Sequence, residues 1–586
     1  MSAQSASAQA RPVFVDGQAQ IVEAFADTTR WIREDLWVET EFDSDGDGRL
    51  DRVHVDVTRP GPTGEGLRVP VVYASSPYYN GTGSTAAEFF WDVNQELDGP
   101  PNPRGEMPAI TPRINRPIMS SSEVNRWVPR GFAVVHSASP GTGLSQGCPT
   151  VGGINESLAP KAVIDWLNGR AQGFTEPVGG EPVLASWSTG KVGMTGTSYN
   201  GTLPVAAATT GVEGLEAIIP IAPNTSYYHY YRSNGLVRNP GGYPGEDVDV
   251  LFDYIHSGDL EMRPYCIANV READMKANQD RVTGDYNDFW AGRDYLNAMG
   301  GFQAALLMSH GFNDWNVMPE HSWRIAEAAK AKGLPVQIYY HQGGHGGGPP
   351  LEMQNRWFTR YLYDVQNGVE GDPKAWIVRE GDARDQPTPY DDYPNPAAQM
   401  VSFRPGAGGS GIGSLGQSRS NGIETLIDDA GQSGMQLGAA TQSDNRLLYA
   451  TPTLTRDAHI SGVPTISIRV AANAPAANLT VYLVELPAVG EEGEPVIITR
   501  GWADPRNRNS LTSQAPLVPG EFVDLEFALQ PDDQIVPAGK RIGLMIFSSD
   551  QEFTLHPAPG TVLSIDLSGT ELMLPVVGGG PGIAQD

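Results

Sequence analysis

The chain is poor in cysteine, in positive charge and in long apolar runs, and each shortage closes off a class of protein. Cys148 and Cys266 are the only cysteines among 586 residues. Two are too few for a disulfide framework or a zinc cluster; one bond between them and two separate buried thiols both stay open. Lys and Arg number 40 against 69 Asp and Glu, a formal net charge of -29. So acidic a surface repels nucleic acid and anionic membranes, and no Lys/Arg-rich block offsets it, so we expect neither as a partner. No apolar run is long enough to span a bilayer. Residues 1–10 (MSAQSASAQA) lack the basic start and apolar core of a signal peptide. Ala8-Gln9-Ala10 looks instead like the stub of a cleaved one behind an added Met1. This points to a secreted protein with its signal peptide removed; a plain flexible terminus on a cytoplasmic protein is the alternative.

What is present is a globular composition, 40% hydrophobic with 12 Trp and 21 Tyr, in a chain too long for a single core. Residues 53–57 (VHVDV) alternate as a half-buried strand does. Residues 69–74 (VPVVYA), 131–137 (GFAVVHS), 191–195 (KVGMT), 216–221 (EAIIPI), 304–308 (AALLM) and 335–340 (PVQIYY) read as buried strands. Helical spacing at 159–168 and after Ser198 makes the pattern α/β. We expect an α/β core over 1–225 and 301–395. The stretch 226–300, with helical spacing at 246–259, is expected as an inserted cap over the active site. From 396 to 586 helical spacing vanishes and short strands such as 465–470, 479–484 and 541–547 alternate with turn residues, as in a β-sandwich or jelly roll. The Gly-rich stretch 406–416 (GAGGSGIGSLG) reads as a loop or linker.

Chemistry concentrates at Gly196-Thr197-Ser198-Tyr199-Asn200-Gly201, between a strand and a small-residue helix. Such a turn lifts a serine Oγ out of a sheet and aims the next backbone N–H, here that of Tyr199, at a developing oxyanion. Asn200 stands where G-x-S-x-G has its second glycine, and Gly201 follows. In the α/β-hydrolase arrangement that this strand–turn–helix setting predicts, the nucleophilic serine is followed along the chain by an acid and then a histidine, each after a strand. Asp314 follows strand 304–308, and His345 follows strand 335–340 within HQGGHGGG. His341 lies too close to the strand end, and His310 precedes the acid.

Residues 162–171 (AVIDWLNGRA), 190–201 (GKVGMTGTSYNG), 207–215 (AATTGVEGL), 230–237 (YYRSNGLV), 241–247 (GGYPGED) and 310–317 (HGFNDWNV) carry a resemblance to the X-prolyl dipeptidyl aminopeptidases. That serine peptidase family also contains cocaine esterase and related acylases. The resemblance spans the chain and implies a hydrolase core, a helical cap and a C-terminal β-sandwich. It implies Ser198, Asp314 and His345 as a catalytic triad that removes Xaa-Pro dipeptides from peptides with a free N-terminus and proline at position two. By the same resemblance Tyr78 completes the oxyanion hole with Tyr199, Glu246 binds the substrate's amino terminus, Asn316 positions its N-terminal part, and Tyr227 and Tyr230 lie near the proline pocket. The N-terminal dimerisation domain of some members has no counterpart here, and the oligomeric state stays open. The alternatives are an ester or amide hydrolase of the cocaine esterase or acylase kind, against which Glu246 and Asn316 speak, and a non-catalytic carbohydrate-type binder, against which the triad speaks.

No cofactor is expected for catalysis. Asp43, Asp45, Asp47 and Asp51 have the alternate spacing of a calcium loop, but His54 stands where an EF-hand has its twelfth-position Glu and no helices flank the loop. An acidic turn leading into the strand and a structural calcium site both remain open.

Overall fold

The computed structural model describes residues 10–114, 118–580 and 583; Ala8 and Gln9 of the proposed cleavage stub lie outside them. The apolar runs become β1 (Ile32–Glu39), β2 (Arg52–Arg59), β3 (Val69–Ser76), β4 (Ala133–Ala138), β5 (Ser188–Thr197), β6 (Leu215–Ile221), β7 (Ala305–Gly311), β8 (Val336–His341), β9 (Ala375–Val378) and β10 (Thr388–Tyr390). They pair in the order β10-β9-β8-β7-β6-β5-β3-β4-β2-β1, extended beyond β1 by the short strands Gly173–Phe174 and Pro182–Val183. Strands β3 to β9 run parallel, while β1, β2 and β10 are antiparallel. Helices α1 (Ile154–Leu167), α2 (Tyr199–Thr209), α4 (Glu320–Ala331) and α5 (Leu351–Tyr363) cover the sheet, and α3 (Val248–Ile255) lies in the cap. Covered faces explain why 53–57 is not half-buried as its alternation suggests: every residue of β2 after Arg52 is buried, with His54 and Asp56 on the second face.

The helical pattern at 246–259 contracts to α3 because Asp247 caps its start, accepting from Val248 N at 2.8 Å, and Gly258 follows its end. Cys148 and Cys266 form a disulfide that ties the loop after β4 to the cap, so the separate buried thiols are set aside. In the C-terminal region the 406–416 stretch is a hairpin rather than a linker, its loop confined to 407–411. β11 (Ala398–Gly406) and β12 (Ile412–Gly416) form a hairpin there, and glycine is needed because a Cβ on Gly413 would stand 2.2 Å from Gly406 O. β11 pairs with β12 at one end and at the other with the long strand β14 (Val562–Val577), joining the two sheets of a β-sandwich around its own apolar core. Among the described residues a short α-helix, Gly434–Ala439, and a 3-10 turn, Pro505–Asn507, interrupt the strands.

Candidate functional site

Ser198, Asp314, His345 and Tyr78 all follow the carboxyl ends of parallel strands, the edge where open α/β sheets place their sites. Ser198 adopts φ 64° and ψ −129° between β5 and α2, a left-handed conformation costing a non-glycine residue roughly 1–3 kcal/mol. The surroundings hold it there. Ser198 N donates to Ile221 O at 2.9 Å, and Ser198 O accepts from Gly201 N and Thr202 N. A Cβ on Gly196 would lie 2.4 Å from Asn200 O, and one on Gly201 would lie 2.7 Å from Ile221 O. The close approach to β6 therefore falls on Gly201, one residue later than in G-x-S-x-G, which leaves position 200 free to be Asn. Tyr199 opens α2, where backbone N–H groups have no intrahelical acceptor.

His345 Nδ1 lies 2.7 Å from Asp314 Oδ2. Asp314 Oδ1 accepts from the backbone N–H groups of Asn316 and Val317 at 3.1 and 3.0 Å. His310 Nε2 lies 3.3 Å from Asp314 Oδ2 and 2.8 Å from Val317 O, with its Nδ1 against Ser322 Oγ. Burial pushes the Asp314 carboxyl up, yet hydrogen bonds from His310 and His345 outweigh it and hold the carboxyl below its ordinary range. Chain order set His310 aside; its turn-length spacing from Asp314 was the available signal. The other competitor, His341, braces the loop that carries His345: Nε2 donates to Gly346 O at 2.9 Å, and Nδ1 accepts from Gly343 N at 3.0 Å.

A cavity of about 420 Å³ opens over Ser198 and is lined by Tyr78, Tyr199, Tyr227, Tyr230, Glu246, Asn316 and His345. The candidate substrate residues thus share one space with the candidate triad. Thr82, Thr85 and Phe90 also line it, so part of the roof comes from the long connection between β3 and β4 rather than from the inserted cap. Tyr78 sits edge-on to Tyr199 with centroids 5.8 Å apart, and burial raises its hydroxyl pKa well above the ordinary value. It is therefore a neutral O–H donor. Glu246 is buried, and Tyr231 O–H donates to its Oε1 at 2.8 Å. Burial pushes the Glu246 carboxyl up to about 8, the Tyr231 hydrogen bond lowering it and the charge of Asp247 raising it. Asn316 accepts from Tyr230 O–H at 3.4 Å and donates to Gly241 O at 2.9 Å. Tyr231 and Glu156 went unread in the sequence. Glu156, fully buried, accepts from Tyr199 O–H at 2.5 Å and from the N–H groups of Val151 and Gly152, anchoring the residue after Ser198.

Away from this cavity, Asp43, Asp45 and Asp51 bring one carboxylate oxygen each within 4.8 Å of one another. Asp47 is not in the group: its carboxylate turns back to accept from Arg49 N at 2.8 Å, so the four-residue set contracts to three. Burial pushes the Asp51 carboxyl up to about 7, against two hydrogen bonds from Ser44 and helped by the charges of Asp45 and Asp43.

A strand-end serine, a histidine–carboxylate pair and a capped parallel sheet define the α/β serine hydrolases. Within that class, residues 45–347 match the model of the X-Pro dipeptidyl-peptidase S15 family, and residues 367–581 match that of the X-Pro dipeptidyl-peptidase C-terminal non-catalytic domain; the chain belongs to this family of serine peptidases. An Xaa-Pro dipeptidyl-peptidase of Lacticaseibacillus rhamnosus is 31% identical over 98% of this chain and 80% of its own. A Rhodopirellula baltica protein bearing the same name in provisional form is 59% identical over 97% of this chain and 92% of its own. Among solved structures, an α-amino acid ester hydrolase matches with TM-score 0.67 at 15% identity, covering 98% of this chain and 100% of that one. A CocE/NonD family hydrolase of Staphylococcus aureus matches with TM-score 0.65 at 16% identity, covering 93% and 96%. At such identities these two speak for the fold alone.

Proposed function

We propose that the chain releases Xaa-Pro dipeptides from the free N-termini of peptides through a Ser198–His345–Asp314 triad and an acyl-enzyme. The observation that carries this reading is the single cavity joining Ser198 and His345 to Glu246 and Asn316. His345 takes the Ser198 proton as Oγ attacks the carbonyl carbon of the second residue, while Asp314 fixes the imidazole tautomer and stabilises the imidazolium. Tyr199 N–H and Tyr78 O–H receive the oxyanion, each such donor being worth about 3 kcal/mol. The departing amine takes the proton from His345, and water then enters to free the dipeptide. Proline, compact and without an N–H, suits a wall of Tyr227 and Tyr230.

The dipeptide length follows from the far end. Unliganded, the buried Glu246 carboxyl keeps its proton up to about pH 8. An arriving ammonium restores the ionised form as a charge-assisted pair, which a blocked amine cannot do. The test is a chromogenic comparison of Ala-Pro, Gly-Pro, N-acetyl-Ala-Pro and simple esters. Free Xaa-Pro substrates are expected to be cleaved and blocked ones to be very poor. Equal use of blocked and free substrates would hand the site to the esterase or acylase reading.

Two further readings belong with this proposal. The Cys148–Cys266 pairing supports a secreted protein, because disulfides persist in oxidising compartments. The Asp43, Asp45 and Asp51 oxygens suit a hard cation such as Ca²⁺, in a structural role remote from the chemistry.

A further inference from the structure

The β-sandwich reaches the cavity's far end by two routes. On β13 (Val496–Ala503), Arg500 is buried with its guanidinium carbon 3.9 Å from the centroid of the Trp315 ring, 4.8 Å from that of Tyr482 and 4.9 Å from that of Phe553. Arg500 Nη1 donates to Tyr482 O–H at 2.9 Å, and Tyr482 O–H in turn donates to Asp550 at 2.5 Å, so the guanidinium plane is fixed from the sandwich side. Trp315 stands between Asp314 and Asn316. Its carbonyl accepts from Gly241 N at 2.8 Å, and a Cβ on Gly241 would lie 2.4 Å from that oxygen.

The second route runs through the cap. Phe553 O accepts from Asn239 N at 2.7 Å, and Asn239 Oδ1 accepts from Gly245 N at 3.0 Å, immediately before Glu246. The two routes meet where Asn316 Nδ2 donates to Gly241 O. Phe553 takes part in both, through its ring on Arg500 and its carbonyl on Asn239. Trp315 and Phe553 belong to one apolar cluster with Leu236 of the cap, Met318 of the core and Trp502 of the sandwich.

We propose that Arg500 is a positioning residue for dipeptide recognition: by clamping Trp315 from the sandwich, it sets the place of Asn316 and, through Gly241, of the loop that presents Glu246. The inference rests on the reading of Glu246 and Asn316 as the substrate's amine end. A flat guanidinium stacked on an indole resists sliding in a way that an aliphatic chain does not, and small misplacements of a substrate-holding group are felt strongly. Ser198 and Tyr78 follow β5 and β3 and Tyr199 opens α2, outside the ring contacts of Arg500, and Asp314, next to Trp315, keeps His310 as a partner that the clamp does not reach.

The test compares wild type, Arg500→Met and Phe553→Leu in the full chain. It reads KM and kcat on Ala-Pro-p-nitroanilide, turnover of p-nitrophenyl acetate, fluorophosphonate labelling of the serine and melting temperature. Arg500→Met is expected to raise KM for the free-amine substrate about tenfold with a smaller change in kcat, while ester turnover and labelling stay within about threefold of wild type. Phe553→Leu is expected to follow in the same direction, and it decides the matter if Arg500→Met does not fold. Unchanged Ala-Pro kinetics in a folded variant would overturn the inference, as would equal losses on ester and amine substrates, which mark a general structural role. N-acetyl-Ala-Pro-p-nitroanilide is run in parallel on wild type. If wild type accepts it as readily as the free amine, the amine-end reading itself fails and the clamp falls with it; if wild type rejects it and Arg500→Met is unaffected, only the clamp fails.

Discussion

The two ends of the cavity are held in different ways. At the Ser198 end, position is set first by main chain: strand termini, a left-handed serine, and glycines whose missing Cβ atoms let β6 and the His345 loop approach, with Glu156, His310 and His341 as side-chain braces. At the Glu246 end it is set by buried polar side chains. Tyr231 holds Glu246, while Arg232 and Arg281 converge on Asp247 at 3.0 and 2.6 Å. Arg104 reaches in from the β3–β4 connection to Asp249 and Asp253. A main-chain frame keeps its shape when one side chain changes. A frame of buried charges is sensitive to each partner, because removing one leaves another unpaired in a poor solvent. The Ser198 end should therefore fail chiefly at its reacting groups, and the Glu246 end at its supports to a larger degree.

The largest effect tests the first half of that contrast. Ser198→Ala is expected to lower kcat by about 10⁴-fold or more and to abolish fluorophosphonate labelling, with a melting temperature at or near that of wild type. Asp314→Asn is expected to lose about 10⁴-fold through the wrong His345 tautomer. Turnover surviving Ser198→Ala would remove the nucleophile assignment.

At the other end, Glu246→Gln is expected to lower kcat/KM on free Ala-Pro substrates by about 10²-fold, as loss of one partner from a buried charge pair does, while ester turnover changes little. The same variant has a signed effect on stability. Folded Glu246 keeps its proton up to about pH 8, whereas an unfolded one loses it near 4.5. Between those values the native state binds more protons, so wild-type stability falls as pH rises through that window. Glu246→Gln removes this slope. Without substrate, its melting temperature should gain on wild type from pH 5 to pH 8.5. A constant difference between the two proteins across that range would place the Glu246 carboxyl in water.

The same contrast explains what could be read before any coordinates. The gathering of Ser198, Asp314 and His345 at the strand ends was legible because main-chain frames leave local marks: a glycine-flanked turn, a strand before each residue, an order along the chain. The α/β core and the strand-rich C-terminal region were legible from hydrophobic period. Glu246 and Asn316 came from resemblance alone, since nothing in GGYPGED says what its glutamate faces. Tyr231 and Glu156 escaped because their roles depend on residues farther along the chain, Glu246 and Tyr199, while His310 offered only its turn-length spacing from Asp314. The glycines at 406–416 left loop and linker unseparated for a related reason: glycine marks flexibility in a linker and close approach in a packed hairpin, and only packing separates the two.

The disulfide joins the two frames. It closes a sequence separation of 118 residues between the loop beside α1 and the cap. Loop-closure entropy over such a span amounts to roughly 4–5 kcal/mol against the unfolded chain. Cys148→Ala with Cys266→Ala is expected to lower the midpoint of denaturant unfolding clearly, and to raise KM for Ala-Pro substrates more than it lowers ester turnover, because the cap loses a tether and the strand ends do not. Equal effects on both substrates would mean that the cap's position matters to the chemistry itself.

The smallest expected effect belongs to the acidic loop, which braces the same disulfide from the core side. Ser44 Oγ accepts from Cys148 N at 2.9 Å and donates to Asp51 Oδ2 at 2.5 Å, and Asp45 Oδ2 accepts from Gly147 N at 3.2 Å. With Asp51 raised to about 7 by burial and by its acidic neighbours, the three carboxylates repel one another at neutral pH unless something offsets their charge. A bound divalent cation would do so, and binding to the folded state alone stabilises it by about 2.7 kcal/mol at a hundred times Kd. Excess Ca²⁺ at pH 7.5 is therefore expected to raise the melting temperature by a few degrees, and a chelator to reverse it, with ester turnover unchanged at 25 °C. Asp51→Asn should abolish the response, and Asp47→Asn should keep it, since the Asp47 carboxylate turns away to Arg49 N. A melting temperature indifferent to Ca²⁺ would leave the loop as an acidic turn held by its own backbone N–H groups, and the strand end beside it would owe nothing to a metal.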